Sequence, residues 1–326
     1  MSARVNAVPS AAAPLVSARR RLGDRFGDAA LYGLTAAAAA AALALLVGIA
    51  WKIVDVAHPA ISKYGLGFVT HQGWDVARNK FAALDFIWGT VLTSFAALVI
   101  AAPISIAIGL YLSELAPRGV RWLVAALVEL LAAIPSVVLG LWGILVLGPF
   151  VGEHLGPWLH DTLGFIPLFS GTPENAGMLP AILVLTIMIV PITSSICREL
   201  FLSVPTELEE GALALGATRW EMVRGVVLPS TRAGVGAAVM LGLGRAVGEA
   251  IAVTQVIGAG YGIHWSLFNT GDTLASRIAE QYQGAAGLQV GALVYLALIL
   301  LVISLLVNIA AQLVVRRFSF ERVGGS

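Results

Sequence analysis

Six stretches of this chain are apolar over about 20 residues each, and that feature limits the fold more than any other. A helix of such length matches the hydrocarbon thickness of a bilayer. Backbone groups in lipid find no water, so a single apolar run must satisfy them within itself, as a helix does. The composition agrees: 58% of the residues are hydrophobic and 12% are charged, against about 25% charged in a soluble domain. A formal net charge of +1 and no basic face argue against a nucleic-acid partner. The single cysteine, Cys197, excludes a disulfide within the chain and any multi-cysteine metal site. His154 and His160 form a pair without a third ligand, so no metal is expected on this chain.

Read in order, residues 1–28 are Ala-, Ser- and Arg-rich, a loose tail ending in a short interfacial helix. Arg19-Arg20-Arg21 and Arg25 precede the first apolar run as in a secretory signal. The run Ala29–Trp51 is too long for a signal h-region, so it is expected to stay as an anchor. The six spans are expected at about 29–53, 86–112, 122–147, 179–196, 233–259 and 288–315, with a tail over 318–326. Residues 148–178, holding Trp158, His160 and Asp161, are expected to form an amphipathic segment at the interface. No internal repeat is visible.

Six spans place both termini on one side. Arg4, Arg19, Arg20, Arg21 and Arg25, then Arg118 and Arg121, then Arg198, Arg219, Arg224 and Arg232, then Arg316, Arg317 and Arg322 all fall on that side. The other side holds only Lys52, Lys63, Arg78, Lys80 and Arg277. The positive-inside rule makes the first side cytoplasmic.

The polar segment of about 197–230 carries a spaced pattern: Glu210-Gly211-Ala212, three residues, Gly216, nine residues, Val226, one residue, Leu228-Pro229. It resembles the cytoplasmic loop of ABC-importer permease subunits, which the resemblance implies is a helix–turn–helix docking onto a separate ATPase. Gly211 departs from the alanine that the pattern prefers, at a helix cost of about 0.8–1 kcal/mol. Thr206 and Glu209 have the spacing of a capping box, and Gly216 suits a left-handed helix end. Trp220 and Met222 offer apolar anchors. A plain cytoplasmic helical hairpin is the other reading. No Gly-x-x-x-x-Gly-Lys-Ser/Thr sequence occurs, so ATP hydrolysis belongs to other chains.

Arg245 and Glu249 stand in the middle of the expected fifth span, among Gly242, Gly244 and Gly248. An arginine at the bilayer centre costs about 2.5–3.5 kcal/mol on insertion scales, so it must face a partner or a cavity. The spacing i, i+4 predicts that both charges share one helix face, and the glycines permit close approach. Two readings are open: an ion pair that holds the bundle together, or an oxyanion site where guanidinium grips phosphate. In the second, Glu249 steadies Arg245 and accepts a proton from protonated phosphate, which sulfate lacks.

The runs Gly244–Glu249 with Ala252-Val253-Thr254, Gly109–Glu114 and Glu129–Val138, with Trp74-Asp75 and Gly89-Thr90, are similar to the phosphate-specific permease subunits of ABC importers. The resemblance covers about Ala29 to Arg317. It implies an all-α, polytopic, six-helix type I ABC-importer permease and a role for Arg245 and Glu249 in phosphate passage. It also implies a bacterial inner-membrane location, a second permease subunit, two ATPase subunits holding ATP with Mg, and an external phosphate-binding protein. Glu129 and Ser136 are further pathway candidates. Glu129 also reads as a helix-end carboxylate facing a basic neighbour, and Pro135-Ser136 as a plain kink. Asp272, Arg277 and Glu280 are expected to touch a delivery protein or to be solvated. Competing functions are a permease for sulfate or molybdate, the partner permease of the phosphate system, a lipid-phosphate membrane enzyme, and an ion-coupled secondary transporter.

Overall fold

The structure, a computed structural model, describes residues 18–319. Arg4, Arg322 and most of the expected tails lie outside the described residues, as do the side chains of Arg19, Arg20, Arg21, Arg25, Arg118, Arg316 and Arg317. The chain divides into two units at Lys52/Ile53. The first contributes the start of one helix, Ala18–Tyr64, which runs without a break at 28/29 or at 53. The alanine-rich sequence favours continuity, and the helix stops only at Gly65, whose φ of +52° is the left-handed conformation that glycine adopts most readily.

In the second unit, residues 53–64 supply Ala57 and Ala60 to a buried cluster with Leu293 and Leu296 of the last span. A two-residue antiparallel hairpin follows, Trp74–Asp75 with Lys80–Phe81. Trp74 is buried, and its Nε1 donates to Gln281 Oε1 at 2.8 Å.

Among the described residues six helices are long and apolar enough to cross a membrane: Gly27–Tyr64, Leu84–Leu115, Ser136–Leu163, Met178–Leu202, Arg219–Gly248 and Leu288–Leu313. The number agrees with the sequence reading, but the third and fifth are displaced from it. The expected third span at 122–147 is instead two helices, Arg118–Ala133 and a rod from Ser136 to Leu163. Pro135 is the cause: Ile134 before it takes an extended ψ of 126°, as steric clash with a proline ring requires. The rod then absorbs most of the expected interfacial segment. Its wide turns at Gly143–Leu147 and Val151–Leu155 each precede a Gly-Pro pair, so Pro149 and Pro157 fall in early-turn positions that tolerate a missing N–H.

The Met178–Leu202 helix is the hub. It runs parallel to the second span, with Thr186 Oγ1 donating to the Ala97 carbonyl, Ser105 Oγ to that of Val190, and Gly109 packed on Cys197. It runs antiparallel to the fifth, which sets Gly234 against Leu200 and Gly242 against Ile189 and Thr193. A Cβ on Gly242 would come within 2.8 Å of both, so glycine is what lets these helices meet. The fifth and sixth spans are antiparallel in turn, with Gly244 beside Asn308 and Ala237 beside Ala311.

Candidate functional site

The fifth span does not continue to 259. Its helix ends at Gly248, Glu249 is extended (φ −73°, ψ 119°), and a short helix Ile251–Val256 restarts the chain. The expectation that Arg245 and Glu249 share one helix face is therefore corrected. Arg245 sits in the last turn of one helix, where orphan carbonyls favour a cation. Glu249 lies in the break, and its Oε1 accepts from the backbone N–H of Ala252 at 3.3 Å, in the first turn of the next helix. Backbone freed by such a break is tolerated at membrane depth only where it lines a cavity or is covered by protein.

A cavity is there. It has a volume of about 600 Å³ and is lined by Ile192, Leu241, Gly244, Arg245, Gly248, Glu249, Ser304 and Asn308. Both charges open into it without forming the ion pair considered above; among the described residues Arg245 makes no hydrogen bond or ion pair. Gly248 has open space where a Cβ would stand, and Gly244 has only Asn308 Oδ1 at 4.0 Å. Chemically the cavity offers one planar cation with free donors, one carboxylate acceptor, a hydroxyl and an amide, which suits a small oxyanion that carries a proton. Ser304 and Asn308 were missed by the sequence reading. Their signal was the pairing of two polar residues four apart in a strongly apolar run.

The structure does not bring Glu129 and Ser136 to this cavity. Glu129 lines a separate one of about 300 Å³ with Arg121, Trp122, Ala125, Ala126 and Arg198. There it faces two arginines, the helix-end alternative. Ser136 is half-buried at the start of its rod, at the break that Pro135 makes.

Between the fourth and fifth spans, Thr206–Ala214 is helical and Gly216 follows with φ +91°. Leu215 N–H, Gly216 N–H and Ala217 N–H return to the carbonyls of Gly211, Leu213 and Ala212, closing the helix end. Glu210 and Gly211 are exposed and Ala212 is half-buried. Among the described residues no atom outside its own helix lies within 4 Å of where a Gly211 Cβ would stand. The expected capping box at Thr206 is absent, because Thr206 already lies inside the helix. The box is at Thr218 and Glu221, where Thr218 Oγ1 accepts from Glu221 N–H and the carboxylate accepts from Thr218 N–H.

Leu228-Pro229 opens the long helix, with proline in its first turn. Met222 is not a surface anchor. It is buried with Cys197, Phe201 and Val227, and this packing seats the hairpin on the end of the fourth span. The exposed apolar side chains are Leu208, Leu213, Leu215 and Trp220, with Leu215 at 92% exposure. Burial and the nearby Glu114 carboxylate push the Glu209 pKa up.

At the other end of the spans, Arg277 and Asp272 are not a solvated docking patch, as either sequence reading required. They are 1% and 3% exposed. Arg277 Nη2 meets Asp272 Oδ2 at 2.6 Å, as a charge contact rather than a well-angled hydrogen bond. Only Glu280 of the trio is partly exposed, 3.4 Å from Arg277. His154 stacks on Phe150 and His160 lies near the Phe169 carbonyl; among the described residues no group of three metal-ligating side chains exists.

Residues 105–320 match the family described as binding-protein-dependent transport system inner membrane component. The chain belongs to that family, as a multi-pass permease subunit of the type I ABC-importer fold, and within it to the PstC permease proteins whose members follow. It is 40% identical over 307 residues to the phosphate transport system permease protein PstC of Haemophilus influenzae, covering 93% of this chain and 98% of that one. It is 41% identical over 320 residues to the protein of the same name from Mesorhizobium japonicum, covering 96% and 98%.

Among solved structures, a chain of a bacterial ABC transporter that imports alginate has a TM-score of 0.56 at 19% identity, covering 92% and 99%. An inward-facing MetNI methionine transporter chain has 0.54 at 23%, covering 72% and 94%. These two share the fold.

Proposed function

We propose that this chain forms half of the pathway of an ATP-driven inorganic phosphate importer in a bacterial inner membrane, and that phosphate passes Arg245. The observation that carries this reading is a guanidinium with no partner among the described residues, open to a 600 Å³ cavity at a break in a membrane-length helix. The names of relatives at 40% and 41% identity support phosphate as the anion. A second permease subunit completes the pathway, an external binding protein delivers phosphate, and two ATPase subunits hold ATP with Mg. Both termini and the 206–217 hairpin then face the cytoplasm.

The coupling follows from the hairpin's seating. Exposed Leu208, Leu213 and Trp220 suit burial in an ATPase groove. Movement there reaches the spans through Met222, Val223 and Val227, packed on Cys197 and Phe201, and through Arg219 Nη1 donating to the Glu114 carbonyl. Such rigid seating converts ATPase closure into a change of access. In the cavity, Arg245 offers paired donors to two phosphate oxygens. Glu249 accepts from the hydroxyl of protonated phosphate, and sulfate would place a bare oxygen against it.

The test is ATP-dependent phosphate uptake by the assembled importer in proteoliposomes. Arg245→Ala should abolish uptake while the complex still assembles; uptake at the wild-type rate would refute the reading. Glu249→Gln should erode the preference for phosphate over sulfate.

A further inference from the structure

We infer that Ser304, Asn308 and Gln312 form a neutral polar track on the sixth span, along which the oxyanion leaves Arg245 toward the hairpin end of the membrane. The inference rests on the proposed phosphate pathway and extends it to residues on another helix.

Within Leu288–Leu313 there is no charged side chain, and the polar ones fall into two groups. Gln289 and Tyr295 are satisfied inside the chain: Gln289 Nε2 donates to Gln281 Oε1 at 3.1 Å and Tyr295 Oη to the Gly65 carbonyl at 3.2 Å. Ser304, Asn308 and Gln312 make no hydrogen bond among the described residues. A serine inside a helix commonly bonds its own preceding turn, and Ser304 does not. Unpartnered polar groups at membrane depth are costly, and they persist where they face water or a ligand.

Steps of four residues keep the three on one helix face, about 6 Å apart along the axis. That face looks into two cavities. Ser304 and Asn308 line the one that holds Arg245 and Glu249. Asn308 and Gln312 line a second, of about 370 Å³, with Ala237, Met240 and Leu241. Asn308 and Leu241 border both, so the cavities adjoin at those two residues. Because the fifth span runs from Leu228 toward Gly248, the step from Gly244 back to Ala237 is a step toward the hairpin.

The chemistry fits departure rather than capture. Arg245 supplies a charge-assisted grip, which slows release if nothing competes with it. Amide N–H and hydroxyl donors hold an anion more weakly, and successive weak sites allow passage without trapping.

The experiment uses the complete importer in proteoliposomes, with cysteine-free partner subunits. Cys197 is fully buried, so a thiol introduced elsewhere in this chain is the reactive one. Asn308→Cys and Gln312→Cys should react with a small charged methanethiosulfonate reagent, and inorganic phosphate should slow both reactions. Leu306→Cys, on the opposite exposed face, should show no phosphate protection. The Asn308→Leu/Gln312→Leu double variant should lower phosphate uptake per ATP hydrolysed about tenfold, the scale of one lost hydrogen bond or slightly more.

Wild-type uptake by the double variant, or thiols at 308 and 312 that phosphate does not protect, overturns the track. So does protection of those thiols by the second permease subunit alone, which would make the three residues interhelical contacts. If the double variant fails to assemble, the cysteine variants decide alone. Arg245→Ala separates the two levels: normal uptake there sinks the pathway itself, whereas abolished uptake with a silent track sinks only this inference.

Discussion

Arg277→Met is the substitution that most sharply tests the electrostatics. The guanidinium is 1% exposed and lies between the rings of Phe86 and Tyr261, at 5.0 and 4.8 Å from their centroids. It donates to Tyr261 Oη at 3.2 Å and faces Asp272 at 2.6 Å. Asp272 also accepts from Thr273 N–H at 2.8 Å and from the Ser276 hydroxyl.

Burial nevertheless pushes the Asp272 pKa up from 3.8 to about 6, against the lowering by Arg277 and these hydrogen bonds. A carboxylate whose folded pKa is raised binds its proton more tightly in the folded state. Its contribution is therefore most favourable below pH 3.8, falls as pH rises through the window from 3.8 to about 6, and is constant above it. That difference amounts to about 3 kcal/mol.

Methionine keeps the apolar volume between the rings and removes the positive charge, so the Asp272 pKa rises further and the window extends upward. Breaking a buried pair from one side costs about 3–5 kcal/mol when the remaining charge is stranded. The loss should therefore be large at pH 8 and small at pH 5, where Asp272 is protonated in the variant. The assay is thermal unfolding of the detergent-solubilised complex at both pH values, followed by tryptophan fluorescence. Adding Asp272→Asn should restore most of the loss at pH 8. An equal loss at both pH values, or a double variant no better than the single, refutes the reasoning.

Three further outcomes follow from local geometry. Gly216→Ala forces a Cβ into a left-handed position at φ +91°, at about 1–2 kcal/mol; amide exchange in the hairpin should speed up and ATPase stimulation should fall. Thr218→Ala should destabilise the hairpin by about 1 kcal/mol through loss of its cap, while Thr206→Ala leaves the same exchange rates unchanged. Gly89→Val would drive side-chain atoms into the Asp272 carbonyl, so the variant should melt several degrees lower, on the scale of about 1–3 kcal/mol for overpacking.

Much of this was legible without coordinates because the relevant signals are local. Apolar runs of bilayer length give the number of spans whatever they pack against. The spacing from Glu210 to Pro229 marks the hairpin, and a glycine at 216 already announces a helix end. A buried-length run containing Arg245 requires a cavity or a partner on energetic grounds alone. Local signals can also mislead. Thr206 and Glu209 have capping spacing, but Pro205 leads straight into a helix that already includes Thr206, and the box forms at Thr218 instead.

What tertiary structure alone decided is where helices stop and which distant residues meet. Nothing in Gly248-Glu249-Ala250 excludes a continuous helix, and periodicity across it suggested one. The break parts Arg245 from Glu249 along the chain while leaving both on one cavity. Ser304 and Asn308 join them from a span some sixty residues further on. Arg277 looks like a surface charge until Phe86 and Tyr261 close over it. Sequence reports the cost of placing a residue in lipid, because that cost belongs to the residue and its immediate neighbours; its partners are set by packing between helices far apart in the chain.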